Sequence, residues 1–458
     1  MADSTYSEQT RFAFRPGVTC VTTSTGAVLL DPPRSEKLTG LSAGQLHALK
    51  ALNLGGTTLL DMAPAAQSEE VGALIDRLAT GGWLTVTVRD GSRDLYSVVP
   101  FGQPAPRPEP HPVRPLAMSK FAVLHRDSQG FVLEHPLGWC DLRIHDTALL
   151  TLLDGPAGNN YGVTAAVASR FIRDLLWGGM LVSTSGEEDT FEKVGWSAPD
   201  LWFHRRSTLG QRTVAWEHFG PTRWAKGRFS PLAARRKNYP GDPIALVAPD
   251  LTAKRAEDPT LTTVLEDRVS TRNFDDARPL TVNQLSELLY RTVRTRGTNP
   301  VPGGDDLLSR PYPSSGGIYE LEAYPVVRNV VGLQPAMYHY DSFDHALRPV
   351  ATADSRPVSQ LVKAASATLA GGAEPQVLIV FAARAGRIMW AYEQICYATI
   401  LKDVGVVMQT IYLAATAMGL GACAQGYSDT AAFIAATGGD ELQECSVGSI
   451  VIGSSVRN

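Results

Sequence analysis

Residues 310–327 read RPYPSSGGIYELEAYPVV. Two prolines, two adjacent serines and two adjacent glycines stand directly before a run that alternates into a strand. Pro313-Ser314-Ser315-Gly316-Gly317 therefore offers backbone amides with almost no side-chain bulk, a surface on which a flat, acceptor-rich ring could lie. A plain turn would use the same residues.

Upstream, residues 265–293 read LEDRVSTRNFDDARPLTVNQLSELLYRTV. If Arg268 to Arg272 is extended, period-two geometry points Arg268, Ser270 and Arg272 the same way, two cations and a hydroxyl on one face. That pattern suits a phosphate and suits a surface salt-bridge cluster equally. The helix that follows is well marked: Thr281 and Gln284 have capping-box spacing, and Leu280 faces Leu285 as a hydrophobic staple. Downstream, Gly419 to Gly426 read GLGACAQG, where glycines again permit close backbone approach.

Residues 18–84 and 120–181 look like two copies of one unit. Each has two alternating strands joined by a turn, near Gly26 and near Gly130. Two apolar-periodic helices follow, and each copy leaves through GGWL or GGML into a further strand. A hairpin, helices and a closing strand make the winged-helix plan. It can hold an extended peptide at a sheet edge, bind DNA, or serve as scaffold. The predicted modules span 1–105 and 118–200, separated by the proline-rich PFGQPAPRPEPHPVRP, which reads as extended. Residues 201–258 read as a connector and 259–458 as the chemistry-bearing domain.

At 458 residues, 44% hydrophobic and 19% charged, the chain is globular and multidomain. A net charge of −4 and the absence of a basic recognition helix argue against nucleic acid. Five scattered cysteines without a CxxC pair argue against a disulfide framework or structural zinc; no metal site is expected, and a reducing, cytoplasmic setting fits. No signal peptide is read at the N-terminus. The uncharged stretch Val404–Ser428 is long enough to span a bilayer. Its Gln, Thr, Tyr and Gly content points instead to a helix buried in a core or a subunit interface.

Together and in this order, the three motifs over residues 260–458 resemble the FMN-dependent nitroreductase superfamily. PYPSSGGIYELEAYPVV and AYEQICYATILKDVGVVMQTIYLAATAMGLGACAQG are similar to its SagB-type dehydrogenases, which oxidise thiazolines and oxazolines in ribosomal peptides. The resemblance implies an α+β fold with a mixed, largely antiparallel sheet flanked by helices. It implies bound FMN, a homodimer that completes the flavin pocket, oxygen as final acceptor, a precursor-peptide substrate and a possible cyclodehydratase complex. Carried over onto this sequence, the cofactor contacts are Arg268, Val269, Ser270, Arg272, Pro313, Ser314, Ser315, Gly316, Gly421, Ala422, Ala424, Gln425, Gly426 and Arg457. The catalytic residue is Tyr392.

The family pairs that tyrosine with a lysine, and here MWAYEQICY puts Ala391 in its place. A tyrosine of ordinary pKa, about 10, needs a neighbouring cation to act as a base near neutrality. Lys402 is no substitute on one straight helix, where it lies roughly 16 Å further along the axis. Two other readings stay open: a general NAD(P)H-dependent flavin reductase, and a catalytically impaired peptide-binding partner.

Overall fold

The computed structural model describes residues 6, 9–32, 34–62, 68–107, 115–153, 162–183, 186, 188–208, 225, 227–304 and 306–455. The chain divides into two units, residues 1–213 and 214–458.

In the first unit both predicted repeats keep one element order. The first copy has a three-stranded antiparallel meander (Thr19–Thr22, Gly26–Asp31, Arg34–Thr39), then helices Ala43–Leu54, Leu59–Met62 and Ser68–Thr80, then the strand Leu84–Asp90. The second has the meander Val123–Asp127, Gly130–Glu134, Cys140–Ile144, a 3₁₀ turn Thr147–Leu152, the helix Ala165–Trp177 and the strand Leu181–Ser183. Local chemistry sets the helix starts, through a Ser42/Gln45 capping box in one copy and Thr164 accepting from the Val167 amide in the other.

The two GG exits close identically. Trp83 N–H donates to the Leu78 carbonyl (2.9 Å) and Gly82 N–H to Ala79 (3.0 Å). Met180 donates to Leu175 (2.8 Å) and Gly179 to Leu176 (3.1 Å). Gly82 and Gly179 take φ of 72° and 76°, the left-handed step that this helix stop requires.

The copies are not separate modules, however. Leu84–Asp90 forms a hairpin with Arg93–Pro100, and that strand pairs with Cys140–Ile144 of the second copy. The result is one seven-stranded sheet in the order Thr57–Thr58, Arg11–Phe14, Leu84–Asp90, Arg93–Pro100, Cys140–Ile144, Gly130–Glu134, Val123–Asp127. The start of the proline-rich segment is pinned as well, because the Trp177 indole donates to the Ala105 carbonyl at 2.8 Å. Residues 108–114 lie outside the description.

The predicted connector also dissolves into its neighbours. Helix Ala198–Arg206 belongs to the first unit, with Arg206 paired to Glu134 at 2.9 Å and the Trp202 indole donating to the Phe121 carbonyl at 2.8 Å. Residues 227–258 belong to the second unit. There Ile244–Ala245 adds a strand beside Ala346–Thr352, Arg235 reaches Asp341 at 2.6 Å, and Arg236 reaches Glu444 at 2.8 Å.

In the second unit seven strands run in the order Ile244–Ala245, Ala346–Thr352, Ala336–Asp341, Leu321–Val327, Val377–Ala383, Cys445–Ser454, Leu420–Gln425, with every strand pair antiparallel. Helices cover both faces, which explains why the central strands Leu321–Val327 and Val377–Ala383 are buried at every position instead of alternating. Along Val377–Ala383, Val377, Ile379, Phe381 and Ala383 pack with helices Val282–Val293 and Cys396–Ala417. Leu378, Val380 and Ala382 pack with Arg356–Ser366 and Thr430–Thr437. The predicted capping box of Thr281 and Gln284 is present, with Leu280 and Leu285 fully buried beside it.

The uncharged Val404–Ser428 stretch is not one helix. Helix Cys396–Ala417 ends, Gly419 turns the chain at φ 69°, and Leu420–Gln425 becomes the edge strand of the sheet. Among the described residues this helix alone is long and apolar enough to cross a membrane by length and composition. Val404, Val407, Ile411 and Ala415 bury one face of it in the core, while Tyr397, Leu401, Gly405 and Gln409 are exposed.

Candidate functional site

The predicted phosphate grip is held against the edge strand. Ser270 bridges Ala422 in parallel and the Thr271 N–H donates to the Ala422 carbonyl at 2.8 Å, so the segment is extended as the spacing requires. Thr271 turns inward, and a Cβ on Gly421 would lie 2.7 Å from its Cγ2, so glycine is what allows the two strands this close. Tyr412 staples both, its hydroxyl 3.0 Å from Ser270 Oγ and accepting from the Ala424 N–H at 2.7 Å. The Arg268 guanidinium stands 5.4 Å from the Tyr412 ring. Among the described residues neither Arg268 nor Arg272 has a carboxylate in salt-bridge range, whereas Arg235, Arg236, Arg291, Arg328 and Arg348 all do. Val269 is exposed and Gly426 is at the surface. The Gln425 side chain turns inward to Thr368 and the Cys423 carbonyl, leaving only its backbone for a ligand. Arg457 lies outside the described residues.

The Pro313–Gly317 turn forms a second cluster. Gly316 and Gly317 take φ of 61° and 70°, which only glycine adopts without strain, and a Cβ on Gly316 would lie 2.7 Å from the Tyr392 hydroxyl. The serine hydroxyls do not face a ligand. Ser314 Oγ donates to Asp403 Oδ2 at 2.8 Å, and Ser315 gives Asp403 both its N–H (3.0 Å) and its hydroxyl (3.3 Å). Glu320 Oε2 lies 3.4 Å from the same Ser314 oxygen. Both acids are buried. Burial first, and then the Asp403 charge, push the Glu320 carboxyl up to about 7. With both serine side chains engaged by Asp403, the surface this turn offers is its backbone.

Tyr392 follows helix Ala385–Ala391 in an extended conformation, and Gln394 turns with φ 55° before the next helix begins at Cys396. Residues 391 and 402 thus sit on two helices, which removes the straight-helix estimate, and Lys402 is exposed. Burial and the Asp403 charge both raise the Tyr392 phenol, so its neighbour is an anion where a base would need a cation. Its hydroxyl has no protein hydrogen-bond partner among the described residues. The preceding helix is clamped from the former connector: Arg384 donates to Ala233 (2.8 Å) and Ala234 (3.0 Å), Arg387 to Leu232 (3.1 Å), and the Trp390 indole to Phe229 (3.2 Å). Beside it opens a cavity of about 530 Å³ lined by Gly227–Pro231, Gly303 and Trp390.

Asp403 and Tyr412 belong to one helix, nine residues apart. At 3.6 residues per turn that is two and a half turns, so the two clusters lie on opposite faces and about 14 Å apart along the axis. The residues fit a phosphate-bearing group at Arg268, Ser270 and Arg272, and a flat ring over the bare backbone below Tyr392. The sequence reading passed over Asp403, Glu320 and Tyr412. Asp403 did carry a trace, since it shares the stripe of Ile400, Val407 and Ile411, an acid on the face that must be buried.

The profile of the nitroreductase family matches residues 265–454, and that of the cyanobactin oxidase ThcOx matches residues 116–213. The chain is similar to MJ1384 of Methanocaldococcus jannaschii, a protein described as a nitroreductase, with 32% identity over 189 residues, 41% of this chain and 85% of that protein. Among solved structures it is similar to a protein of Ralstonia eutropha described as a nitroreductase (24% identity, 49% of this chain and 95% of the other, TM-score 0.37). It is also similar to a chain of the E. coli microcin synthetase McbBCD complex with truncated pro-MccB17 bound (19% identity, 56% and 86%, TM-score 0.34). These scores leave both as likenesses only. The motif resemblance to SagB-type dehydrogenases agrees with both profiles.

Proposed function

The chain belongs to the nitroreductase family, and from that premise we propose that it is an FMN-dependent dehydrogenase. Its substrates would be thiazoline and oxazoline rings on a ribosomal precursor peptide, oxidised to thiazoles and oxazoles with oxygen as final electron acceptor. The observation that carries the peptide part is the similarity of residues 116–213 to a cyanobactin oxidase, a segment that a general flavin reductase does not need.

Bound FMN would supply the two-electron, hydride-accepting chemistry. The chain's own residues divide the rest. Arg268, Ser270 and Arg272 hold the phosphate, Gly421 and Tyr412 fix that strand, and the Pro313–Gly317 backbone supports the ring. Tyr392, protonated near neutrality, orients the azoline by donating a hydrogen bond, and the ring proton lost in the oxidation passes to solvent water. The cavity beside Trp390 admits the peptide. Because one chain's two clusters lie on opposite faces of helix Cys396–Ala417, a second copy completes each site, and the exposed stripe of Tyr397, Leu401 and Gly405 suits that contact. The first unit, with its winged-helix-like element order, holds the leader through an open sheet edge. A cyclodehydratase working in the cytoplasm would provide the azolines.

The test is mass spectrometry of an azoline peptide incubated with FMN-loaded protein, following loss of two hydrogens per ring. The chain as it stands should turn over slowly. Ala391→Lys should accelerate it by about 10²- to 10⁴-fold by stabilising the Tyr392 phenolate, and Tyr392→Phe should abolish it. If all three proteins bind FMN and peptide but convert nothing, the second reading holds. That reading is a peptide-binding partner without catalysis, favoured by Ala391 and by the anion beside Tyr392. Rapid bleaching of the flavin by NADPH without ring oxidation would point to a general reductase.

A further inference from the structure

Glu320 and Asp403 are two buried acids that share one small hydroxyl, and neither has a salt-bridge partner among the described residues. Ser314 has one hydrogen to give, and it lies 2.8 Å from Asp403 and 3.4 Å from Glu320. Its oxygen already accepts the Tyr319 N–H at 3.1 Å and has one acceptor position left. Asp403 receives three donors, the pattern of an ionised carboxylate. A protonated Glu320 can donate to Ser314, giving an unbroken chain from Glu320 through Ser314 to Asp403. An ionised Glu320 instead sets two carboxylates against one hydrogen, with Glu320 Oε1 buried and unpartnered.

We propose that Glu320 is a positioning residue whose proton locks the Pro313–Gly317 turn, so that FMN affinity is set by whether that proton is present. The inference rests on the flavin reading above, and it concerns the chain's residues beneath the ring.

Among the surrounding groups, burial and Asp403 favour the proton, and the opposing pull of the Arg310 charge does not outweigh them. From helix Cys396–Ala417 the facing group is Asp403, which disfavours a second negative charge. From the segment before the turn come Tyr312, whose own phenol is held protonated by burial, and Arg310, which is fully buried. Arg310 directs Nη1 to the Leu321 carbonyl at 2.7 Å and makes no ion pair with Glu320. Glu322, two residues on, is engaged by His339 at 3.1 Å and Arg384 at 3.6 Å. Arg387, from helix Ala385–Ala391, gives its guanidinium to the carbonyls of Leu232, Asp306 and Ile318. Tyr392 has its phenol raised and does not ionise in the range of interest.

The sign follows from linkage. Glu320 holds its proton more tightly folded than unfolded. The stability this brings is full below the ordinary carboxylate range and is lost as pH rises to about 7. Above that point the turn has lost its donor and FMN should bind less well.

The experiment measures the FMN dissociation constant by quenching of flavin fluorescence from pH 7 to 9, above the second phosphate ionisation near 6. The full-length chain is compared with Glu320→Gln, whose amide donates to Ser314 and cannot ionise. The chain should weaken by threefold or more over that range, up to about tenfold per pH unit for one linked proton. Glu320→Gln should stay flat. Parallel profiles for the two proteins would overturn the inference while leaving the flavin reading intact. No FMN binding at any pH would overturn the flavin reading and this inference with it. Should Glu320→Gln fail to fold, Asp403→Asn serves instead. It removes the charge that raises Glu320, so the loss of affinity should move to lower pH, and an unmoved profile would again refute the role.

Discussion

On one face of helix Cys396–Ala417, around Tyr412, Arg268 and Arg272 stand at half-buried and exposed positions and make no salt bridge among the described residues. On the opposite face, around Asp403, two carboxylates are buried and engage both serine hydroxyls of the turn. The first cluster keeps its charge available for a ligand, and the second uses its charge to shape a piece of backbone. The difference teaches that a binding surface can be built from free side chains or from a turn whose side chains are occupied elsewhere. Only the first kind advertises itself as a motif.

The sharpest way to break that contrast is to remove the free cations. Arg268→Ala with Arg272→Ala should cost about 10²- to 10⁴-fold in FMN affinity, since hydrogen bonds to charged groups are each worth about 1.5–3 kcal/mol, while the melting temperature of the FMN-free protein stays near its starting value. Equilibrium dialysis and thermal melting together check this. Full retention of FMN would mean that the phosphate lies elsewhere.

Asp403→Ala should do the reverse. It strips three accepted hydrogen bonds, and leaving the Ser315 N–H without a partner should cost about 2–4 kcal/mol of stability, read by denaturant unfolding of the FMN-free protein. A variant as stable as the parent would show that the turn does not depend on its carboxylate.

The smallest effects come from the two glycines. Gly316→Ala meets both a left-handed φ and the Tyr392 hydroxyl, and should destabilise by about 1–2 kcal/mol. Gly421→Ala meets Thr271 alone, and should push the arginine strand off the sheet edge at about 1–3 kcal/mol. Of the two, Gly421→Ala should weaken FMN binding more, and equal losses would erase the distinction between the clusters.

Much of this was readable in advance wherever the determinants are local. The Thr281 cap, the turns at Gly26 and Gly130 and the two GG exits are each specified within a few residues. The pairing of Arg93–Pro100 with Cys140–Ile144 was hidden, because a strand carries no local mark of its distant partner. The change from helix to strand at Gly419 was hidden because the stretch carries no charge and the exposed Gly405 and Gln409 contrast little with the buried positions beside them. Asp403 was hidden because its partners, Ser314 and Ser315, lie nearly ninety residues away.

The fused sheet of the first unit has a consequence for solubility. Two separate modules would expose four sheet edges, each a template for pairing with another chain. Joining them consumes two. What remains at the margins of the seven-stranded sheet is Thr57–Thr58, two residues long, and Val123–Asp127, whose His125, Arg126 and Asp127 make it a poor partner for an apolar strand. Within that sheet the arrangement guards against edge-to-edge aggregation and leaves one five-residue edge, marked by charge, at which a chosen strand could be told from an accidental one.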